Sequence, residues 1–142
     1  MKTVAQLLAL KPSGIVGIAP DVTVLDAVKL LAETNVGSVL VMDGPRLVGM
    51  FSERDYARKV DLKGKSSVNT PVSEVMTREV VFVTPTHTNE DCMALMTDKR
   101  IRHLPVVAND QVVGVLSIGD LVRDIISEQQ LIISQLESYI HR

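Results

Sequence analysis

The chain has 142 residues, with 15 Lys and Arg against 17 Asp and Glu for a formal charge of −2, and 46% of it is apolar. That is an ordinary globular composition, long enough to bury roughly 70% of its extended surface without staples and short enough for one domain or two small halves. The charges nearly balance and form no long basic block, and Phe51, Phe82, Tyr56 and Tyr139 are the only aromatics. Nucleic acid is therefore not an expected partner.

From the N-terminus, Met1 to Leu10 reads as an amphipathic first helix and not a signal peptide, since Gln6 interrupts the apolar stretch and no small-residue cleavage site follows. No run approaches the roughly 18 apolar residues of a spanning helix. The expectation is a cytoplasmic protein without a membrane partner. Ile15 to Ile18 reads as a strand, Thr23 to Thr34 as a helix, and Val39 to Met42 and Leu47 to Phe51 as strands joined by the turn Asp43-Gly44-Pro45, with another helix from Ser52.

The same order then returns. Position n matches position n+65 at Pro20/Pro85, Thr23/Thr88, Asp26/Asp91, Leu30/Leu95, Val41/Val106, Val48/Val113, Gly49/Gly114, Ser52/Ser117, Asp55/Asp120 and Arg58/Arg123, which makes 10 identities over the 39 positions 20–58 without a gap. A repeat decides architecture. In the second copy Val80 to Val83 suits a strand, Thr88-x-x-Asp91 a capping box opening a helix, Leu104 to Val107 and Val112 to Leu116 strands around the turn Asn109-Asp110, and Ser117-x-x-Asp120 a second box. Each copy is a βαββα unit. Lys63-Gly64-Lys65-Ser66-Ser67 is the linker, and Thr70-Pro71 opens a short helix with Pro at its first position. The boundaries that follow are 1–62 and 70–128 for the repeats, 63–69 for the linker and 129–142 for a C-terminal extension.

Cys92 has no intrachain partner and falls on an apolar helix face, so it reads as a small core residue. Leu121 to Tyr139 reads as one long helix with Leu121, Ile125, Ile132, Leu136 and Ile140 near one face and Arg123, Asp124, Glu128 and Glu137 elsewhere. Its stripe needs cover, from its own domain or from a second copy.

Ser52-x-x-Asp55 and Ser117-x-x-Asp120 are explained as helix caps without any ligand. A helix start also presents free N–H groups and partial positive charge that suit phosphate. A carboxylate beside it can accept both hydroxyls of a ribose diol.

The chain resembles tandem CBS-domain proteins, in which two CBS motifs form one Bateman module. The resemblance is carried by Gly49-Met50-Phe51-Ser52-Glu53-Arg54-Asp55 and Gly114-Val115-Leu116-Ser117-Ile118-Gly119-Asp120, by Gly37 to Asp43, by Val75-Met76-Thr77 and by Arg100 to Val107, and it spans roughly residues 1–128. It implies a mixed α+β (α/β-like) fold, two βαββα repeats packed about a pseudo-twofold axis plus a C-terminal helix. It also implies a regulatory module with clefts for adenosine ligands: AMP first, then NAD(H), ATP or S-adenosylmethionine. Asp55 and Asp120 would hold ribose hydroxyls, Ser52 and Ser117 would contact ribose or phosphate, and Ile18, Val81, Ser38 and Pro105 would line the adenine slots. Arg102 and His103, with Arg54 and more weakly Arg58, would supply phosphate donors. Gly37-Ser38 aligns with Arg102-His103, so the two sites are not equivalent, and phosphorylated ligands should favour the second copy. A homodimer and an unknown downstream protein are the implied partners.

Catalysis and metal binding are not expected. Ser117, His103 and Asp120 could be drawn as a triad, but no Gly-x-Ser-x-Gly elbow surrounds the serine. His87, His103 and His141 lack ligand spacing, and no dinucleotide or Walker glycine loop is present. The competing class is a ligand-free dimeric interaction scaffold.

Overall fold

A computed structural model describes residues 1–11, 15 and 17–141. In chain order its elements are α1 (Val4–Ala9), β1 (Gly17–Ile18), α2 (Val24–Thr34), β2 (Ser38–Asp43), β3 (Arg46–Ser52), α3 (Glu53–Asp55) running into a π-helix (Tyr56–Asp61), a 3-10 turn (Val72–Glu74), α4 (Asn89–Lys99), β4 (His103–Ala108), β5 (Gln111–Ser117) and α5 (Ile118–Ile140). The fold is the mixed α+β repeat that the sequence predicts. Val16, within the first predicted strand, lies outside the described residues.

Two compact units emerge: one holds Ile15–Val80 with Asp110–Val112, and the other holds Met1–Gly14, Val81–Asn109 and Val113–Arg142. The segment that leads into each repeat joins the unit built on the other repeat.

In the first unit β1 pairs parallel with β2, and β2 pairs antiparallel with β3. Gly44, at φ 61°, makes the turn between them. Val24, Ala27 and Leu31 of α2 bury one helical face on Val39, Val41 and Phe51 of the sheet, and Val72, Val75 and Met76 of the lead-in segment close that core. The linker is pinned, because Ser67 and Thr70 carbonyls accept the N–H groups of Leu25 and Val24, which the start of α2 leaves unpaired. Pro71 is extended (φ −70°, ψ 147°) and flanks the 3-10 turn, which corrects the expectation that it occupies the first helical position. It bridges to Thr23 instead.

Strand β4 pairs with β5 through a turn in which Asn109 and Asp110 have φ 53° and 61°, as a two-residue hairpin matched to strand twist requires. The predicted strand Val80–Val83 reduces to one parallel bridge, Val83 with Val106. That bridge is the counterpart, 65 positions on, of Ile18 with Val41. Cys92 and Met96 of α4, Leu104 and Val106 of β4, Leu116 of β5 and Leu121 of α5 form the core with Val4 and Leu7 of α1. Burial pushes the Cys92 thiol up to about 11, so it stays protonated.

The two lead-in segments are themselves equivalent, but 68 positions apart. Val4 and Ala5 N–H groups bond to His87 and Pro85 carbonyls, as Val72 and Ser73 bond to Val22 and Pro20; Lys2 and Thr70 carbonyls accept from Asn89 and Val24. Leu8 then lies against Gly114, and Met76 against Gly49.

The long helix departs from its expected pattern in one place. Asp124, predicted off the apolar face, is only 5% exposed, and its carboxylate accepts from the Lys2 ammonium at 2.8 Å and the fully buried Asn89 amide at 2.8 Å. Leu121 is buried, whereas Ile132, Leu136 and Ile140 of the predicted stripe are exposed.

Candidate functional site

Each unit carries one serine–aspartate pair where a strand hands over to a helix. Ser117 is extended (φ −101°, ψ 161°) and caps α5; its hydroxyl accepts from the Asp120 N–H at 3.2 Å, while Asp120 Oδ2 accepts from the Ser117 N–H at 2.8 Å. Ser52 and Asp55 repeat this, with Asp55 Oδ2 accepting from the Ser52 N–H at 3.0 Å and hydroxyl at 3.1 Å. The capping explanation therefore holds for both pairs. It leaves each carboxylate with further capacity, and the two units use it differently.

In the second unit Lys11 Nζ reaches Asp120 Oδ2 at 2.9 Å and the Val115 carbonyl at 2.7 Å, and Arg123 donates to Asp120 Oδ1 at 2.6 Å. Burial pushes the Asp120 carboxyl up, but the Ser117 N–H and hydroxyl and the Lys11 ammonium outweigh it and hold the group below its ordinary value. Asp120 is thus ionised at neutral pH. His103 is pushed down by burial and by Lys11, against an opposing pull from Asp120, so its ring is neutral at pH 7. The Ile118 N–H bonds the Arg102 carbonyl at 2.9 Å, which ties the start of β4 to the start of α5. Arg102 itself is exposed. Pro105, buried and two residues along β4 from His103, accepts from the Val83 N–H at 3.0 Å, and Val81 packs on the same core. The predicted residues Val81, Arg102, His103, Pro105, Ser117 and Asp120 all belong to one unit, with Arg102 tied to the start of α5 through the Ile118 N–H.

In the first unit Asp55 is 6% exposed, and its Oδ1 accepts from the Thr77 hydroxyl at 3.0 Å and pairs with Lys59 at 3.0 Å. Ser38 is the register partner of Ser52, the Glu53 N–H bonds the Gly37 carbonyl at 3.0 Å, and Ile18 pairs with Val41. Arg54 and Arg58 are exposed and form no ion pair among the described residues.

Sequence reasoning missed Lys11, Thr77, Lys59 and Arg123. The last two were readable, because a basic residue four or three positions after a helical aspartate shares its face. Lys11 and Thr77 were not, since they lie in lead-in segments whose 68-residue offset a comparison at 65 does not align.

Two copies of one element order, each with a capped aspartate that pairs with a cation, define a tandem repeat. The CBS domain profile matches residues 13–61 and 72–127. The chain belongs to the CBS-domain family. It is 42% identical over 125 residues to the mitochondrial CBS domain-containing protein CBSX3 of Arabidopsis thaliana, covering 84% of this chain and 61% of that one; it spans less than two thirds of that relative. A CBS-domain structure from Burkholderia ambifaria is 46% identical, with a TM-score of 0.81 over 90% of this chain and 96% of its own. The CBS domain protein PAE2072 of Pyrobaculum aerophilum, solved in complex with AMP, is 25% identical, with a TM-score of 0.72 over 84% of this chain and 89% of its own. No helix among the described residues is long and apolar enough to cross a membrane.

Proposed function

We propose that the protein is a regulatory, non-catalytic module that binds an adenine nucleotide, AMP first and NAD(H), ATP or S-adenosylmethionine after it. The observation that carries this reading is Asp120, an ionised carboxylate at a helix start held by the cations Lys11 and Arg123. A ribose diol needs such a carboxylate, and a phosphate needs such cations within reach of it. In this reading Asp120 takes the ribose, Ser117 the ribose or phosphate, Arg102 and His103 the phosphate, and Val81 and Pro105 flank the base. Ile18, Ser38, Ser52, Arg54 and Asp55 form the second site, weaker for phosphate because Gly37-Ser38 replaces Arg102-His103. The AMP bound by the Pyrobaculum relative supports the ligand class. Repeats 1–62 and 70–128, with linker 63–69 and extension 129–142, would act as one module. Occupancy shifts its conformational equilibrium by the ligand's differential affinity, and a homodimer passes that shift to a protein partner. In this reading it works in the cytoplasm, whereas the Arabidopsis relative is mitochondrial.

The test is a thermal-shift panel with AMP, ADP, ATP, NAD, NADH and S-adenosylmethionine on nucleotide-stripped protein. A ligand at about 100 times its Kd adds about 2.7 kcal/mol, which is several degrees at this size. AMP should raise Tm while inosine and inorganic phosphate do not, and Asp120→Asn should lose the shift. No shift in the parent sinks the reading, as does an undiminished shift in Asp120→Asn. The second reading, a ligand-free dimeric scaffold, is favoured by one observation: Leu131, Ile132, Ile133, Leu136, Tyr139 and Ile140 are all at least 52% exposed on α5.

A further inference from the structure

Asp120 Oδ2 already has both of its acceptor directions in use, and Oδ1 has one. Oδ2 takes the Ser117 N–H at 2.8 Å and Lys11 Nζ at 2.9 Å, and Oδ1 takes Arg123 at 2.6 Å. A carboxylate offers about four lone-pair sites, two on each oxygen. A diol that donates one hydrogen bond to each oxygen must therefore displace a donor from Oδ2, and because the Ser117 N–H belongs to the cap of α5, that donor is Lys11. Arg123 is 72% exposed and returns to water at little cost, but Lys11 is 32% exposed and its other partner is the Val115 carbonyl. Losing Asp120 would leave a half-buried ammonium short of a counter-charge, which is unfavourable unless a new anion meets it.

We propose that Lys11 is an internal counter-ion that makes the second unit's site select phosphorylated nucleosides over unphosphorylated ones. The proposal rests on the nucleotide reading above and adds to it the residue that sets ligand charge. A nucleoside has to evict Lys11 from Asp120 and offers it nothing. A nucleoside monophosphate evicts it and supplies phosphate oxygens in exchange, so the ammonium moves from one anion to another. The first unit lacks this exchange: there the Thr77 hydroxyl, a neutral donor, stands against Asp55 from the equivalent lead-in segment, and the cation is Lys59, one turn along the same helical stretch. Phosphate selection is thus a property of one site, imposed by a segment outside the repeats' shared pattern.

The experiment is titration calorimetry of AMP and adenosine against the parent, Lys11→Met, Lys11→Arg and Asp120→Asn, with the His103 imidazole resonances followed by NMR as a local reporter for the second unit. The parent should prefer AMP by about tenfold or more, equivalent to about 1.4 kcal/mol. Lys11→Met should bind adenosine more tightly than the parent and AMP more weakly, collapsing the ratio, while Lys11→Arg retains it. Lys11→Gln, which keeps a donor for the Val115 carbonyl without charge, repeats the test if the Met variant does not fold. Equal weakening of both ligands, or no change in either, in a variant whose Asp120-dependent binding persists overturns the role of Lys11 alone. Unaltered AMP binding in Asp120→Asn, or no binding to the parent, overturns the site reading and this proposal together.

Discussion

Asp124 and Asp120 stand one turn apart on α5, and their burial would favour the neutral acid in both, yet each is held below its ordinary value. At Asp124 the ammonium of Lys2 and the amide of Asn89 overcome desolvation. Such a group stabilises the fold fully above its ordinary value of 3.8, and the contribution disappears as pH falls through the lower folded value. Lys2 runs the other way: its ammonium is raised above 10.5, so its contribution is present below that value and lost as pH rises through the folded one. Asp124→Asn should accordingly lower the urea midpoint at pH 7, with the gap to the parent closing as pH falls below 4. A gap that stays constant would show that Asp124 acts by shape and not by charge. This residue also marks where the sequence misleads. Helical periodicity places Asp124 among solvated charges, and only the return of Lys2 from the far end of the chain explains why it is buried.

Helices and strands were largely legible, because each boundary has a local chemical cause. The boxes at Ser52, Thr88 and Ser117, the Gly44 turn and the Asn109-Asp110 hairpin all follow from residues at fixed offsets. Pairing that depends on distant segments was not legible: Val80–Val83 carries strand-forming residues but keeps one bridge, since only Val83 finds β4. The π-helix after Asp55 has no local sequence signal. Glycine in the middle of β3 and of β5 illustrates how packing between segments sets residue choice. A Cβ on Gly49 would lie 2.5 Å from Met76 Sδ and 3.0 Å from the Thr77 carbonyl oxygen, a backbone atom that cannot retreat. A Cβ on Gly114 would meet Leu8 Cδ2 at 2.7 Å, the end of a flexible side chain. Gly49→Ala should therefore cost about 1 to 3 kcal/mol and Gly114→Ala under about 1 kcal/mol by urea denaturation. The opposite order would refute the close fit of Met76 and Thr77 against β3.

At the scale of the molecule, α5 runs about 35 Å, and Asp124 is the last of its buried residues. A helix end with Leu131, Ile132, Leu136 and Ile140 exposed gains little from propensity alone, and in the dimeric reading burial against a second copy is what stabilises it. In the dimeric reading, sedimentation equilibrium should show a dimer for the parent and a monomer for Leu136→Glu combined with Ile140→Glu, with Tm falling by a few degrees. An unaltered dimer would place the contact elsewhere. The exchange of lead-in segments bears on how the protein is born. The unit of Ile15–Val80 has almost all its residues once residue 80 has left the ribosome, whereas Met1 to Lys11, synthesised before it, belong to a unit completed only by α5. At roughly 5 to 20 residues per second, the Met1 to Lys11 segment waits a further 3 to 12 s, after residue 80, for the 62 residues 81–142. Through that interval Val4 and Leu7 are unshielded hydrophobes on a nascent chain, so a segment made ahead of both repeats is among the later ones to be covered.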